Sequence, residues 1–242
     1  MLTVLDLFSG IGGFSLGLER TGGFKTVAFC EIDPFCRRVL AKHWPGVPIY
    51  EDVNLLTADI LATDGLRPDV ICGGFPCQDI SAAGLRLGLQ GSRSGLWHHF
   101  SRLIGEFQPR IAIVENVAAI NFRGLERVLA DLSAIGYDAE WHTIPAWTIG
   151  APHERERCWI IAHPQGVERL YQSDIAEAAA RLLDDAPPWR ACPWKTPASA
   201  VCGVDDGIPD RVERTSHLGN AVVPQIPELI GNAILKAEGL TT

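Results

Sequence analysis

Cys77 lies in the segment VICGGFPCQDIS, residues 70–81, where an apolar run ends in two glycines, Phe75 and Pro76. A cysteine within an apolar run is ordinarily a packing residue, and Cys72 fits that description. Cys77 differs, because it follows a stiff, glycine-rich turn in a polar loop, the setting of an activated thiolate nucleophile. A second reactive group closes the run IAIVENV, in which Glu115 and Asn116 end a nearly continuous apolar stretch. A carboxyl beside a thiol in a cleft can stay protonated and act as a general acid. In APHERERCWIIA, residues 151–162, Arg155 and Arg157 alternate into an apolar strand, so both are expected on one face. Glu154 and Glu156 alternate oppositely, and a surface ladder of ion pairs is the plainer account of those charges.

Other residues have the chemistry of a nucleotide-type ligand site. In DLFSGIGGF, residues 6–14, Gly10, Gly12 and Gly13 would let backbone approach a ligand at a helix N-terminus. A tight strand-to-helix turn also needs glycine on steric grounds alone. Glu31 ends the next apolar run, where a cofactor ribose lies in Rossmann-like folds, though an acid at the start of a helix reads the same way. Asp52 could meet an adenine amino group, and by itself is one acid among many. From residue 80 to residue 105 the only charged residues are Arg86, Arg93 and Arg102, interleaved with glycines. That pattern fits either a basic loop closing over a phosphate backbone or an ordinary solvated loop.

These groups need a scaffold that brings the ends of several strands together. Apolar runs alternate with helix-like segments through the first 165 residues, the pattern of an α/β fold with a largely parallel sheet. Strands are predicted at residues 3–8, 25–30, 70–73, 111–115, 139–145 and 158–163, and helices at 13–20, 34–43, 95–107 and 124–135. Leu96, Phe100, Leu103 and Phe107 form one helical stripe. Each strand ends in chemically loaded residues, and open α/β sheets bind ligands outside those ends. Residues 164–214 carry six prolines and two tryptophans with little strand pattern, as a small irregular insert would. After Ser216 a helix is predicted, with Ile226, Leu229, Ile230, Ala233 and Ile234 on one face.

Composition narrows the class. The 242 residues are 47% hydrophobic and 21% charged, which excludes collagen-like, disordered and coiled-coil chains and suits a soluble globular protein. No apolar run is long enough to span a membrane, and Asp6 interrupts the N-terminal apolar stretch, so a cytoplasmic protein is expected. Seven scattered cysteines without a CxxC pair read as reduced thiols. Cys192 and Cys202 lack further ligands at zinc spacing, so no metal is expected. The net charge of −8 argues against a nucleic-acid partner, whose footprint is normally basic.

Taken together, five ordered motifs resemble the DNA (cytosine-5)-methyltransferase family of small bacterial or phage type. DLFSGIGGF is similar to its cofactor loop, GGFPCQDIS to its nucleophile loop and ENV at 115–117 to its acid motif. HERER at 153–157 is similar to its Gln-x-Arg-x-Arg motif, with His153 in place of Gln, and LGNAVVPQ at 218–225 to its closing cofactor motif. The variable region is short, only about 50 residues. The resemblance implies a Rossmann-like S-adenosylmethionine-dependent methyltransferase fold. Residues 1–163 would form the catalytic and cofactor-binding domain, 164–214 a small target-recognition region, and 215–242 a segment returning to the catalytic domain.

By the same matching, Cys77, Glu115, Arg155 and Arg157 are the implied catalytic residues. Cofactor contacts fall to Phe8, Gly10, Ile11, Gly12, Glu31, Ile32, Asp52, Val53, Pro76, Leu96, Asn220 and Val222. Ser81, Arg86, Arg93 and Arg190 are the implied DNA contacts, while Trp189 and Trp194 suit either DNA contact or the filling of a small core. The implied reaction is methyl transfer from S-adenosylmethionine, leaving S-adenosylhomocysteine, to carbon 5 of a flipped-out cytosine in double-stranded DNA through a cysteine adduct. A monomeric chain with a cognate restriction endonuclease as partner follows from the same likeness. Two alternatives stand beside it: the same chemistry on transfer RNA, and a non-catalytic cofactor- or DNA-binding module. The intact Cys77, Glu115, Arg155 and Arg157 argue against the last.

Overall fold

A computed structural model describes residues 1–76, 95–149, 155–167, 175, 177 and 221–240. The N-terminal half alternates strand and helix: β1 (Leu2–Leu7), α1 (Gly13–Arg20), β2 (Phe24–Cys30), α2 (Pro34–His43), β3 (Ile49–Tyr50), α3 (Ala58–Thr63) and β4 (Val70–Gly74). It continues with α4 (Leu96–Phe107), β5 (Ile111–Val117), the short α5 (Ile120–Arg123), α6 (Leu125–Ala134), β6 (Tyr137–Ile144), a 3-10 turn at Ala146–Ile149, β7 (Arg157–Pro164) and α7 (Gln225–Ala237). The sequence signals for α1 and α2 match their observed limits. In α2, Asp33 caps the N-terminus by accepting from the Phe35 and Cys36 amides, and Pro34 follows it. β3 and α3 escape sequence patterning because one has two residues and the other six, too few for a period to declare itself.

The strands form one seven-stranded sheet in the order β3-β2-β1-β4-β5-β7-β6. From β3 to β5 every pairing is parallel, whereas β7 runs antiparallel to both β5 and β6. The sheet is covered on both faces, which is why its strands read as continuous apolar runs rather than alternating ones. On one face Leu5, Leu7, Ile71, Val114 and Ile160 pack with Phe100, Leu103 and Ile104 of α4 and Val128 and Leu132 of α6. On the other, Val4, Cys72, Ile113, Trp159 and Ile161 meet Phe14 and Leu18 of α1 and Ile226, Ile230 and Ile234 of α7.

The return of the C-terminus depends on missing side chains. A Cβ at Gly13 would stand 2.4 Å from the Val222 carbonyl oxygen, and one at Gly17 would stand 2.1 Å from that of Pro224. These two positions, one helical turn apart, form the flat face on which residues 221–227 lie. That contact brings Ala221 and Val222 beside Phe8 and Cys30, at the carboxyl ends of β1 and β2. Among the described residues, no helix is long and apolar enough to cross a membrane.

Candidate active site

After β1 the chain reverses sharply: Phe8, Gly10 and Gly12 have φ values of 52°, 54° and 87°. Phe8 is the exception among them, a bulky residue in the left-handed region, which costs energy wherever surroundings do not impose it. Here its ring stacks on Phe100 of α4 at 6.2 Å. The reversal aims the Gly10 amide at Glu31, whose Oε2 accepts from it at 2.7 Å, while Oε1 accepts from the Asp33 amide at 2.8 Å. Each carboxylate oxygen can accept more than one hydrogen bond, so Glu31 keeps capacity for a ligand's hydroxyl groups. Gly12 does different work. Its Cβ position would lie 2.5 Å from the Trp44 ring, so it admits Trp44 behind the turn.

A cavity of about 330 Å³ opens here. Its walls include nine of the expected cofactor contacts: Phe8, Gly10, Glu31, Ile32, Asp52, Val53, Pro76, Leu96 and Val222. Ile11 and Gly12 are not among the lining residues, because the turn directs Gly12 toward α2. Asn220 lies outside the described residues, and its chain neighbours Ala221 and Val222 line the cavity. Apolar side chains face the carboxylates of Glu31 and Asp52, a combination suited to a flat heteroaromatic ring with an amino group and a ribose. The cavity thus fits the chemistry of S-adenosylmethionine.

Glu115 also borders this cavity. It is reached from β5, paired in register with Gly74 of β4. A Cβ at Gly74 would stand 2.6 Å from Glu115 Oε2, so glycine there makes room for the carboxyl. The Arg157 Nε approaches Glu115 Oε1 at 2.9 Å. Burial nevertheless pushes the carboxyl above its ordinary value, outweighing the opposite pull of Arg157 and Arg155. The shift is in the direction that a proton donor requires.

The two arginines do not share a strand face, contrary to the alternation expected from sequence. β7 begins only at Arg157, and Arg155 sits before it in left-handed backbone with φ 26°. Arg155 instead donates to the Ala221 carbonyl at 2.8 Å, tying the C-terminal segment to the site. Arg102 also departs from expectation. Rather than belonging to a basic loop, it is within α4 and donates to the carbonyls of Val53 and Leu56.

Sequence reasoning passed over Asn116 except as part of ENV. It is buried, and its Nδ2 donates to the Phe75 carbonyl at 2.9 Å, pinning the base of the loop that continues into Cys77. Cys77, Ser81, Arg86, Arg93 and Arg190 lie outside the described residues. The four described cysteines, Cys30, Cys36, Cys72 and Cys158, are buried. Burial pushes the first two up to about 12, Cys158 to about 11 and Cys72 well above its usual value. None is a thiolate at neutral pH.

Residues 2–184 match the model of the C-5 cytosine-specific DNA methylase family. The chain belongs to that family. Among curated members, it is 37% identical over 169 residues to the Type II methyltransferase M2.BsuMI of Bacillus subtilis, an alignment covering 66% of this chain and 42% of that protein. With the Type II methyltransferase M.AquIA of Picosynechococcus it shares 31% identity, over 67% of this chain and 72% of the other. The chain thus spans less than half the length of M2.BsuMI. Its fold is similar to a putative DNA modification methyltransferase encoded within an E. coli prophage, with TM-score 0.67 and 20% identity, covering 99% of this chain and 100% of the other. The Entamoeba histolytica methyltransferase EhMeth gives the same TM-score, 0.67, at 14% identity, with 100% and 99% covered. The chain therefore has the Rossmann-like methyltransferase fold expected from its motifs.

Proposed function

We propose that this chain transfers a methyl group from S-adenosylmethionine to carbon 5 of a cytosine flipped out of duplex DNA, through a transient bond to Cys77. One juxtaposition carries the reading. Glu31 and Glu115 stand on walls of the same cavity, and Pro76, directly before Cys77 in the chain, is part of a third wall. A cofactor's ribose and a base's ring nitrogen would then be addressed from one space.

The cofactor supplies an electrophilic methyl group when bound. Glu31 and Asp52 receive its hydroxyl and amino donors, and Phe8, Ile32, Val53 and Leu96 enclose its ring. Carbon 5 of cytosine is a poor nucleophile, and the Cys77 thiolate remedies this by adding to carbon 6. The displaced electron pair is drawn toward ring nitrogen 3, where protonated Glu115 donates. Arg157, assisted by Arg155, stabilises charge at the carbonyl oxygen. Carbon 5 would form the new carbon–carbon bond as the cofactor's bond from sulfur to the methyl group breaks. It would then lose its proton to solvent as the bond from Cys77 sulfur to carbon 6 breaks, with nitrogen 3 returning its proton to Glu115 and the ring restored. Extracting the base from the duplex costs about a few kcal/mol, which contacts from Ser81, Arg86 and Arg93 would offset. Residues 164–214, with Arg190, would read the target. The Type II names of its relatives point to a restriction endonuclease with the same site as partner, acting in the cytoplasm beside a monomeric methylase.

The test is transfer of labelled methyl groups to genomic DNA of mixed sequence, with transfer RNA as competitor. Label is expected in DNA and is expected to vanish with Cys77→Ala. A 5-fluorocytosine substrate should trap a covalent adduct in wild type alone. Label in transfer RNA only, or in neither, overturns the reading.

A further inference from the structure

Arg102, in the second turn of α4, reaches a loop it does not belong to. From α4 its Nη2 donates to the carbonyls of Val53 at 3.1 Å and Leu56 at 2.8 Å. Its Nη1 pairs with Glu106 Oε1 at 2.6 Å, one helical turn on. Glu106 completes the connection, because its Oε2 accepts from the Ala58 amide at 3.0 Å. The loop so held is also closed on itself. Asp52 Oδ1 accepts from the Asn54 amide, and its carbonyl accepts from the amides of Leu55 and Leu56. Three of its residues, Asp52, Val53 and Asn54, line the cavity, whereas Arg102 does not. The same helix supplies Leu96 to the cavity wall and Phe100 to the Phe8 ring.

Two backbone carbonyls on Nη2 and a carboxylate on Nη1 make a specific joint, since the rigid planar guanidinium holds all three acceptors from two nitrogens in fixed directions, whereas a lysine ammonium offers a single rotatable nitrogen. We propose that Arg102, with Glu106 as its counter-charge, is a positioning residue of the cofactor site: it sets Asp52 and Val53 against the face of α4 without touching the ligand. The inference rests on the proposed S-adenosylmethionine site. It also replaces the phosphate-clamp role that the run Arg86, Arg93 and Arg102 suggests in sequence.

The test compares wild type with Arg102→Met, which keeps the packed stem and removes the donors, and Arg102→Lys, which returns the charge and a single donor nitrogen. Calorimetric titration of the full chain with S-adenosylhomocysteine should show binding about tenfold weaker for Arg102→Met and intermediate for Arg102→Lys. In methyl transfer, KM for S-adenosylmethionine should rise with kcat and KM for DNA nearly unchanged. Wild-type affinity in both variants, even with a lowered melting temperature, overturns the inference and leaves a purely structural arginine. A raised KM for DNA with unchanged cofactor affinity also overturns it, in favour of a phosphate contact. If Arg102→Met fails to fold, Arg102→Lys decides by the same criteria. Failure of wild type itself to bind S-adenosylhomocysteine removes the functional reading instead, so the two failures are separable.

Discussion

Glu115 and Gly74 work as a pair. An Ala at 74 would press on Glu115 Oε2, the far end of a flexible side chain, so the strand survives while the carboxyl turns from Arg157. Gly74→Ala is therefore expected to fold with a near-native circular dichroism spectrum and to lose at least about tenfold in kcat. Glu115→Gln, which keeps the shape and cannot give up a proton, should lose roughly 10²–10⁴-fold in single-turnover methyl transfer. Asp6 shows the same physics with no evident part in the reaction. It is fully buried beneath the glycine turn, accepts from Ser15 Oγ at 2.7 Å, and burial raises its carboxyl to about 8. A folded-state value above the unfolded one means that the native chain holds the extra proton. Stability from this group is complete below the unfolded value of about 4, and is lost as pH rises from there through about 8. Asp6→Asn cannot titrate, so its denaturation midpoint should gain on wild type over that range and stop gaining above it. Parallel midpoints at pH 5, 7 and 9 would refute the assignment.

At the scale of elements, two glycines in helices should respond oppositely to the same change. Gly17 of α1 faces the Pro224 carbonyl with no room for a methyl group, and Gly105 of α4 has its nearest neighbour, Ile135 Cγ2, at 3.6 Å. Gly17→Ala should destabilise by about 1–3 kcal/mol through overpacking. Gly105→Ala should stabilise by about 0.5–1 kcal/mol through helix propensity. Urea denaturation of both variants checks the pair. The first change should also weaken S-adenosylhomocysteine binding, because α1 and residues 221–227 hold Val222 in the cavity wall. The sequence pattern announced α1, α2, α4, α6 and α7. It could not announce the close approach of α1 to α7, since Gly13 and Gly17 leave no hydrophobic mark.

For the whole molecule, the net charge of −8 remains a constraint on DNA binding. Residues 164–214 hold six basic and nine acidic side chains, a net of −3, so they do not provide a basic surface. With Arg102 turned inward, the phosphate contacts left to the proposed interface are chiefly Arg86, Arg93 and Arg190. About three such contacts correspond to a slope of roughly −3 in log K against log salt. Fluorescence anisotropy on a duplex between 50 and 200 mM salt would measure it, as an approximate working range. A much steeper slope would mean that the DNA surface includes cations outside this set.

The sequence by itself determined the parallel half of the sheet and singled out the groups proposed to react. Continuous apolar runs ending in GGFPC, ENV and a glycine turn leave little choice of fold or edge, because buried strands must be apolar and ligands gather at their carboxyl ends. Tertiary structure alone decided which groups meet. Arg155 and Arg157 look equivalent in the repeat of HERER, yet one binds the Ala221 carbonyl and the other the Glu115 carboxyl, because the strand starts between them. Arg102 reads as one of three like charges in sequence, and only packing of α4 beside residues 52–58 shows that its partners are backbone carbonyls. Side-chain type and local period are written in the order of residues. Partnership between groups far apart in the chain depends on where elements stop and how closely they approach.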